Sequence, residues 1–544
     1  MQRFLHRTIE AIESAPVTLA TFVTTFLALI LTRLMIENTL GLFESHTFFF
    51  FFFEFTHTFL FFLCAFLLML PVVRFAGSVD FRKAANILLF GFLVILTPPI
   101  IDTIVFRGMN FWSFYAFDGF VGLIGRFFTL FGDHPDIGIT YGVRVEVVFV
   151  TLALGLYASL KSARPAKALL VSLAAYTILF VLGTFPSWLT FGLLAFQKGF
   201  LAINQNDVAA LFLTPENIFA RNLSDFRSVL NVKMSIVYGV FSVVLVGALL
   251  FREYPKYFIA LWENARLPQL IYHGGLLFLG MALAFYFTDA RVSVNFFHIV
   301  GMLTLLAAVE SAWLASVVVN DCYDIRIDRE TNPTRPLIRN AIPLETFKTF
   351  GILFFAVSLI FSGIMSFTAL LLMLGYQALA WLYSAPPFRL KRFFGVATLL
   401  SAAAGILVLI TGFFVVSSDH NLHTLPLSLV SYLFVAYTLS LPIKDFKDIR
   451  GDALDHVSTL PVVFGEHMGK LIVSSLLFIL FMASPLVLHA RALFLPALIF
   501  GGLAFWIMQQ GTADEKSLFA YRKLPGLILA IAIFYGLVLA SLLF

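Results

Sequence analysis

The chain has 544 residues, of which 60% are hydrophobic and only 12% are charged. A soluble globular protein could not solvate such a surface, so the composition excludes that class and predicts an integral membrane protein. The net charge of +5 lies in short loops between apolar runs and forms no concentrated basic face. Membrane lipid is therefore an expected partner, and nucleic acid is not.

Six apolar runs of about 20 residues, the length that spans a bilayer, occupy the first half of the chain. The first has no small-residue cleavage site after it, which favours an uncleaved membrane helix over a signal peptide. The predicted spans are Val17–Leu34, Phe48–Val73, Ala85–Phe106, Val143–Leu160, Ala168–Trp188 and Met234–Phe251. The run Phe111–Leu130 is interrupted by Asp118 and Arg126, and we expect it to be re-entrant or interfacial. We expect Leu189–Lys233 to form an outer loop.

Nine further apolar runs of similar length follow in the second half of the chain. They are Ile271–Thr288, Phe296–Val319, Thr349–Ser366, Thr368–Ser384, Val396–Val416, Leu425–Ile443, Leu471–Leu488, Leu493–Met508 and Leu524–Leu543. The predicted fold is all-α and polytopic, with about 15 transmembrane helices. The charged segment Phe251–Gln269 separates the two halves and could form a short amphipathic helix. It predicts an N-terminal membrane domain over residues 1–262 and a second domain over residues 263–544.

The positions of Lys and Arg predict the orientation, because cytoplasmic loops are enriched in these residues. With the N-terminus in the cytoplasm, the predicted inner loops are basic, as in Lys161–Lys167 and Lys444–Arg450. Outer loops such as Asp419–His423 carry few basic residues. A seventh span at Phe111–Leu130 would break this alternation, so the pattern favours six spans followed by nine. The expected location is the cytoplasmic (inner) cell membrane.

Two predicted inner loops carry aspartates with the same spacing of i, i+3 and i+7. The first triad is Asp321, Asp324 and Asp328, and the second is Asp445, Asp448 and Asp452. This spacing places three carboxylates on one helical face, where they repel one another unless a cation lies among them. Magnesium prefers a few carboxylates together with phosphate oxygens and water. The triads therefore predict a site for Mg²⁺ carrying a diphosphate, whereas a single such motif would usually be a solvated acidic loop.

Four segments in this order resemble the UbiA superfamily of intramembrane prenyltransferases. They are NDxxDxxxD with NPxRP (Asn320 to Pro336), YSAPPFRLKR (Tyr383 to Arg392), KDFxDxxGD (Lys444 to Asp452) and TLPVxFG (Thr459 to Gly465). The resemblance covers roughly Ile271 to Phe544, and nine helices is also that family's number. The segment after Asp452 departs from the family pattern, which usually continues with a basic residue and a glycine.

The resemblance implies an Mg²⁺-dependent enzyme whose two aspartate clusters each hold a metal ion that bridges an isoprenyl diphosphate. The implied metal ligands are Asn320, Asp321, Asp324, Asp445 and Asp448, with Asp328 and Asp452 completing the catalytic clusters. The residues expected to bind the substrate are Asn320, Arg335, Tyr383, Arg389, Lys391 and Lys444. The cations among them would neutralise the diphosphate as the C–O bond breaks.

Glu310 lies in the same predicted span as Asp321, 11 residues earlier. At about 100° per residue it returns to within about 20° of the same helical face, several turns deeper. Carboxylates inside membranes are costly and tend to be functional. Glu310 is therefore expected either to line the reaction cavity, where it would orient the acceptor or accept its proton, or to make an interhelical hydrogen bond.

The first half of the chain resembles no family that we recognise. Glu54 and His57 have the spacing of a helical di-metal motif, but no second such motif accompanies them, so paired polar residues that stabilise the bundle are the simpler interpretation. Residues 1–262 could bind the prenyl acceptor, dock a partner or carry out a coupled lipid reaction.

The expected reaction is transfer of an isoprenyl group from a polyprenyl diphosphate to a lipophilic acceptor, for which we favour an aromatic or quinone-type precursor. A glyceryl phosphate or phosphoribose acceptor is the alternative within the same chemistry. A rival from another class is an inactive protein that binds or carries an isoprenoid lipid. The intact aspartate triads argue against this rival, because a carrier gains nothing from six metal-binding carboxylates.

Overall fold

The computed structural model describes residues 2–40, 48–106, 115–132, 139–162, 164–214, 226–288, 290, 295–454 and 457–543. This part of the chain is built from helices and contains no β-strand. Fourteen of its helical segments are long and apolar enough to cross a membrane. The predicted all-α, polytopic membrane fold is therefore confirmed. The described residues through Tyr254 form one compact unit, and those from Pro255 onwards form another.

The N-terminal unit contains six of the candidate spans, as the apolar runs predicted. Its helices are α1 (Gln2–Glu13), α2 (Leu19–Leu40), α3 (Phe48–Gly77), α4 (Phe81–Gly91), α5 (Thr97–Val105), α6 (Phe120–Phe128), α7 (Tyr141–Ser162), α8 (Pro165–Gly183), α9 (Phe185–Lys198), α10 (Gln205–Leu213) and α11 (Phe226–Glu253). A short 3-10 turn joins α4 to α5, and the three together make one span.

Helix α6 lies within the apolar run Phe111–Leu130, which was not expected to cross the membrane. With nine residues it reaches only about 14 Å, less than half the thickness of the hydrocarbon core. The two charges that interrupt the run form an ion pair, Arg126 Nε to Asp118 Oδ2, at 2.7 Å. Helix α6 is therefore too short to cross the membrane by itself.

The prediction of an outer loop over Leu189–Lys233 is wrong for most of its length. The end of α9, the whole of α10 and the first turns of α11 occupy it. Helix α10 begins where Asn204 and Asp207 form a capping box, in which each side chain accepts a hydrogen bond from the other residue's backbone amide. This capping satisfies amides that would otherwise need water, so a short helix is stable there.

The C-terminal unit contains eight candidate spans and one further apolar helix, α24, in agreement with the nine predicted runs. Its helices are α12 (Pro255–Asn264), α13 (Leu267–Phe287), α14 (Phe296–Tyr323), α15 (Ile325–Thr331), α16 (Leu344–Met365), α17 (Phe367–Ser384), α18 (Val396–Val416), α19 (Leu427–Ser440), α20 (Ile449–Leu454), α21 (Leu460–Phe464), α22 (Glu466–Val487), α23 (Phe494–Gln509) and α24 (Leu524–Leu543). Helix α12 lies in the charged segment where a short helix was expected.

Glycines bring the helices of this unit into close contact. A Cβ on Gly280 of α13 would overlap the carbonyl oxygen of Leu409, and one on Gly412 of α18 would overlap that of Leu277. The backbones of α13 and α18 therefore touch, as small residues allow in membrane bundles. Gly351 of α16 has the same relation to α14, where a Cβ would lie 2.7 Å from Val318 Cγ1. This packing fixes α14, the helix that carries Asp321.

Candidate active site

The first aspartate motif is interrupted by a helix break at its middle residue. Asp321 lies in the last turn of α14, Asp324 follows that helix, and Asp328 lies in α15. Asp324 has φ −103° and ψ 14°, which is the sparsely populated bridge region where many active-site residues are found. The triad is therefore not on one continuous helical face, as the spacing had suggested. All three aspartates are nevertheless buried, with 2%, 7% and 5% of their surface exposed.

The second motif has the same backbone break at the corresponding residue. Asp445 lies in a 3-10 helix, Leu441–Lys447, and Asp452 lies in α20. Between them, Asp448 has φ −109° and ψ 9°, close to the values of Asp324. The short helices that follow the two breaks, α15 and α20, contact each other. The two motifs thus approach one another through equivalent elements.

Asp321 is held by side chains that precede the membrane span of α13. Asn264 Nδ2 donates to Asp321 Oδ2 at 2.8 Å, and Arg266 Nη2 donates to Oδ1 at 2.7 Å. Arg335 donates to Asn264 Oδ1 at 3.0 Å, and its guanidinium lies 3.9 Å from Asp321. A buried carboxylate requires such compensation, because an unpaired charge in this environment would be very costly.

Asp324 is held by the YSAPPFRLKR segment. Arg389 Nη2 donates to Asp324 Oδ1 at 3.0 Å, and Lys391 forms an ion pair with the other carboxylate oxygen. Lys391 also donates to Asn320 Oδ1 at 3.0 Å, and Ser384 donates to the same oxygen at 3.1 Å. Burial lowers the pKa of Lys391, while Asp324 opposes this shift. The structure therefore brings four predicted residues, Asn320, Asp324, Arg389 and Lys391, into one network.

Asp328 lies beside the other two aspartates of its motif and lacks a direct cationic partner at ion-pair distance among the described contacts. Asn332 Nδ2 donates to its Oδ1 at 3.0 Å. Burial, reinforced by the negative charge of Asp321, raises the pKa of Asp328 to about 6. A bound cation would favour the ionised carboxylate and offset both effects.

Sequence reasoning missed three members of this network, Asn264, Arg266 and Ser384. Asn264 ends α12, and Arg266 lies in the link to α13, so both had been assigned to the segment between the domains. Arg266 has φ 57° and Arg389 has φ 42°, a left-handed conformation that is uncommon for residues with a side chain. Both strained residues direct their guanidinium groups to the aspartates, which indicates that the surrounding structure holds them there.

The second motif is partly described. Lys444 interacts electrostatically with Tyr383, Asp445 and Asp448, and Lys447 Nζ lies 3.6 Å from Asp448 Oδ2. The side chain of Asp452 and residues 455–456 lie outside the described part of the chain. Lys391 Nζ lies 6.0 Å from the ring centroid of Tyr383. Tyr383 thus lies between a lysine of the first network and a lysine of the second motif.

The donor set of the two motifs suits magnesium. Its potential ligands are carboxylate and amide oxygens, which a hard cation prefers over nitrogen or sulfur. In the described residues, no three His, Cys, Asp or Glu side chains are close enough to hold an ion by themselves. This agrees with the usual way in which Mg²⁺ binds, through one or two carboxylates, water and substrate phosphate oxygens. The residues fit the ion as part of a substrate complex.

Glu310 lies deeper in α14, about 16 Å from Asp321 along the helix axis. In the described part of the chain, one of its carboxylate oxygens is buried without a hydrogen-bond partner. A Cβ on Gly274 would lie 3.3 Å from the other oxygen, so the glycine leaves room for the carboxylate. His273, which precedes Gly274 in α13, hydrogen-bonds with the hydroxyl of Tyr376 at 3.2 Å and stacks on Trp313.

Comparisons with known proteins show the family to which the chain is related. The model of the UbiA prenyltransferase family matches residues 269–539, all within the C-terminal unit. Digeranylgeranylglyceryl phosphate synthase of Sulfolobus acidocaldarius is 30% identical over 213 residues, which cover 38% of this chain and 70% of that protein. This chain belongs to the UbiA prenyltransferase family. Members of the family are prenyltransferases.

Other UbiA relatives match over part of their length. The digeranylgeranylglyceryl phosphate synthase of Saccharolobus solfataricus is 29% identical, with 31% of this chain and 58% of that protein aligned. A probable homogentisate phytyltransferase 2 of Oryza sativa subsp. japonica is 29% identical, with 41% and 63% aligned. The structure of a UbiA homologue from Archaeoglobus fulgidus bound to DMAPP and Mg²⁺ has a TM-score of 0.40 and 20% identity, and covers 51% of this chain and 98% of that one. The chain thus spans little more than half of the first of these relatives.

Proposed function

We propose that this UbiA protein catalyses Mg²⁺-dependent transfer of an isoprenyl group from a polyprenyl diphosphate to an acceptor within the membrane. The observation that carries the proposal is the pair of aspartate motifs with matching backbone breaks, whose short helices α15 and α20 contact each other. Four cationic side chains lie around the three aspartates of the first motif, so that the positive charges outnumber the negative ones. They are Arg266, Arg335, Arg389 and Lys391. Such a site suits a diphosphate together with its metal ions.

Asn320, Asp321 and Asp324 would hold one Mg²⁺, and Asp445 and Asp448 would hold another. When bound, the ions supply positive charge that stabilises the diphosphate as a leaving group. Arg266, Arg335, Arg389 and Lys391 now pair with the aspartates or their neighbours. In the substrate complex these cations would turn from the carboxylates to the diphosphate oxygens. The same side chains therefore compensate the acidic site in its free form and bind the substrate in its loaded form.

The apolar bundle below these motifs would shield the allylic cation from water. Glu310, which has one unpartnered oxygen among the described residues and its other oxygen beside Gly274, would orient the acceptor or accept its proton. Replacement of Glu310 by Gln tests this role. Turnover and acceptor affinity equal to those of the wild type would exclude it.

The acceptor is proposed at two levels. A lipophilic molecule with a nucleophilic hydroxyl or aromatic carbon is the general class. Within it, an aromatic or quinone-type precursor is one candidate, supported by the similarity to a homogentisate phytyltransferase. A glyceryl phosphate lipid is the other, supported by the similarity to digeranylgeranylglyceryl phosphate synthases of several archaea.

The direct test is release of inorganic diphosphate by the purified full chain from geranylgeranyl diphosphate. We expect release only when Mg²⁺ and a suitable acceptor are both present, with a prenylated product detected by mass spectrometry. Homogentisate and geranylgeranylglyceryl phosphate should be supplied separately, because the product identifies the acceptor class. Absence of release with every acceptor, together with retained prenyl lipid, would favour the isoprenoid carrier instead.

A further inference from the structure

The N-terminal unit encloses a cavity of about 250 Å³ among its membrane helices. One face of α3 lines it, and the side chains on that face change from polar to apolar along the helix. The α3 residues that line it are, in chain order, Glu54, His57, Thr58, Phe61, Phe62, Ala65, Phe66 and Met69. From Glu54 to Met69 the helix rises about 22 Å. The cavity is therefore elongated, with a polar end and an aromatic wall.

Other helices add further charged groups to the lining. Arg33 and Glu37 of α2 and Glu146 of α7 line the cavity, and the Arg33 guanidinium lies 5.2 Å from the ring centroid of Phe62. Arg33 donates to the Ile95 carbonyl oxygen at 3.2 Å, and its guanidinium lies 3.6 Å from Glu37 and 3.5 Å from Glu146. Among the described lining residues, three glutamates thus face one arginine, and that arginine is already engaged by carboxylates.

Glu54 offers a hydrogen-bond acceptor for the headgroup of a bound molecule. One of its oxygens pairs with Arg227, while the other, Oε2, is buried without a hydrogen-bond partner among the described residues. The residue is only 7% exposed. A buried polar atom without a partner costs free energy, which a donor from a bound molecule would recover. The adjacent His57 already hydrogen-bonds with the Tyr115 hydroxyl at 2.6 Å, which leaves Glu54 as the group in need of a donor.

We propose that this cavity binds an uncharged amphiphile whose headgroup donates a hydrogen bond, such as the hydroxyl of a long-chain alcohol or phenol. Its tail would lie along the phenylalanines of α3, and its hydroxyl would donate to Glu54 Oε2. The acidic lining disfavours a phosphate or diphosphate headgroup, because glutamates outnumber the available cations. In the aspartate network of the C-terminal unit, by contrast, the cations outnumber the carboxylates. The proposal does not depend on prenyl transfer.

The test uses the full chain in lipid nanodiscs and a C20 prenyl alcohol that carries a diazirine in its tail. Photolabelling followed by peptide mass spectrometry should place the label on residues that line the cavity, with Phe61 and Phe92 as markers. An excess of unlabelled alcohol should prevent this labelling, and the matching prenyl diphosphate should not. Labelling elsewhere in the N-terminal unit, or equal competition by the diphosphate, would overturn the proposal.

Two variants sharpen the test. Glu54→Gln should weaken the alcohol's apparent affinity about tenfold, the effect of a lost hydrogen bond to a charged acceptor. Glu10→Gln, an exposed carboxylate on α1, is the matched control and should bind as the wild type does. Unchanged affinity in a folded Glu54→Gln protein would contradict the proposed headgroup position.

If Glu54→Gln does not fold, Gly91→Leu tests whether the alcohol binds in the cavity. Gly91 lines the cavity, and a Cβ there would meet no atom within 4 Å. The added side chain should fill the space and abolish cavity labelling while the melting temperature stays near that of the wild type. Full labelling of the folded Gly91→Leu protein would overturn the proposal.

Discussion

Asp321 and Asp324 are buried carboxylates whose charge is balanced by different sets of side chains. Arg266 and Asn264 hold the first, and Arg389 and Lys391 hold the second. Removing one partner of a buried pair leaves an uncompensated charge, which is far more costly than losing an exposed pair. In the proposed reaction, the same carboxylates must also bind metal. Substitution of either aspartate should therefore lower stability as well as catalysis, so that each variant must first be shown to fold.

Asp324→Asn tests the first motif, because asparagine keeps the size of the side chain but removes the charge that a metal ligand needs. We expect kcat for diphosphate release to fall by about 10²–10³-fold, the typical cost of losing one electrostatic contact to a transition state. Steady-state kinetics at saturating Mg²⁺ measure this effect. Asp514→Asn, at an exposed loop position, should keep wild-type kcat. An active Asp324→Asn enzyme would remove this residue from the site.

Arg266→Ala tests a residue that the motif alone does not reveal. Arg266 donates to Asp321 at 2.7 Å, and in the substrate complex we expect it to contact the diphosphate. Its loss should raise the KM for the prenyl diphosphate about tenfold, with a smaller change in kcat. Arg522→Ala removes an exposed arginine and should leave KM unchanged. A KM for Arg266→Ala equal to that of the wild type would mean that the guanidinium only supports the free enzyme.

At the scale of elements, the spans were predictable because a long apolar run has few alternatives to a membrane helix. The aspartate spacing likewise identified the two motifs. The backbone breaks at Asp324 and Asp448 were not predictable, because the i, i+3, i+7 pattern is equally compatible with one continuous helix. The roles of Asn264 and Arg266 were also hidden, since they depend on how the link before α13 folds against α14.

The contact between α13 and α18 should be sensitive to the smallest added side chain. Gly280→Ala places a methyl group against the backbone of Leu409, and backbone cannot move away as a side chain can. We expect a loss of about 1–3 kcal/mol, as for other overpacked sites. Unfolding in a denaturing detergent measures this loss.

Gly275→Ala provides the matched control for that experiment. It lies in the same helix, and its Cβ would meet no atom within 4 Å. Alanine there should be neutral or slightly stabilising, because glycine is the poorer helix former. Equal stability of the two variants would contradict the close approach of α13 and α18.

At the scale of the whole molecule, the loop charges predict the orientation in the membrane. Glu515→Cys, between α23 and α24, should react with an impermeant maleimide only from the cytoplasmic side. Ser418→Cys, between α18 and α19, should react only from outside. Both positions are exposed. Labelling of Glu515→Cys from outside would reverse the proposed topology and place the aspartate motifs on the other face.

The two units also differ in the balance of their buried charges. The described network of the C-terminal unit surrounds its aspartates with four cations, Arg266, Arg335, Arg389 and Lys391. The cavity of the N-terminal unit presents three glutamates and one arginine. We therefore expect the C-terminal unit to bind an anionic lipid diphosphate and the N-terminal unit to bind an uncharged headgroup.

In the proposed site, both aspartate motifs bind the same metal-bound diphosphate. The most direct measurement is a crystal structure of the full chain with Mn²⁺ and a non-cleavable prenyl thiodiphosphate, with the metals located by anomalous scattering. We expect two manganese peaks that flank the diphosphate, one beside Asp321 and Asp324 and the other beside Asp445 and Asp448. A diphosphate bound with metal at only one motif, or away from both, would contradict it.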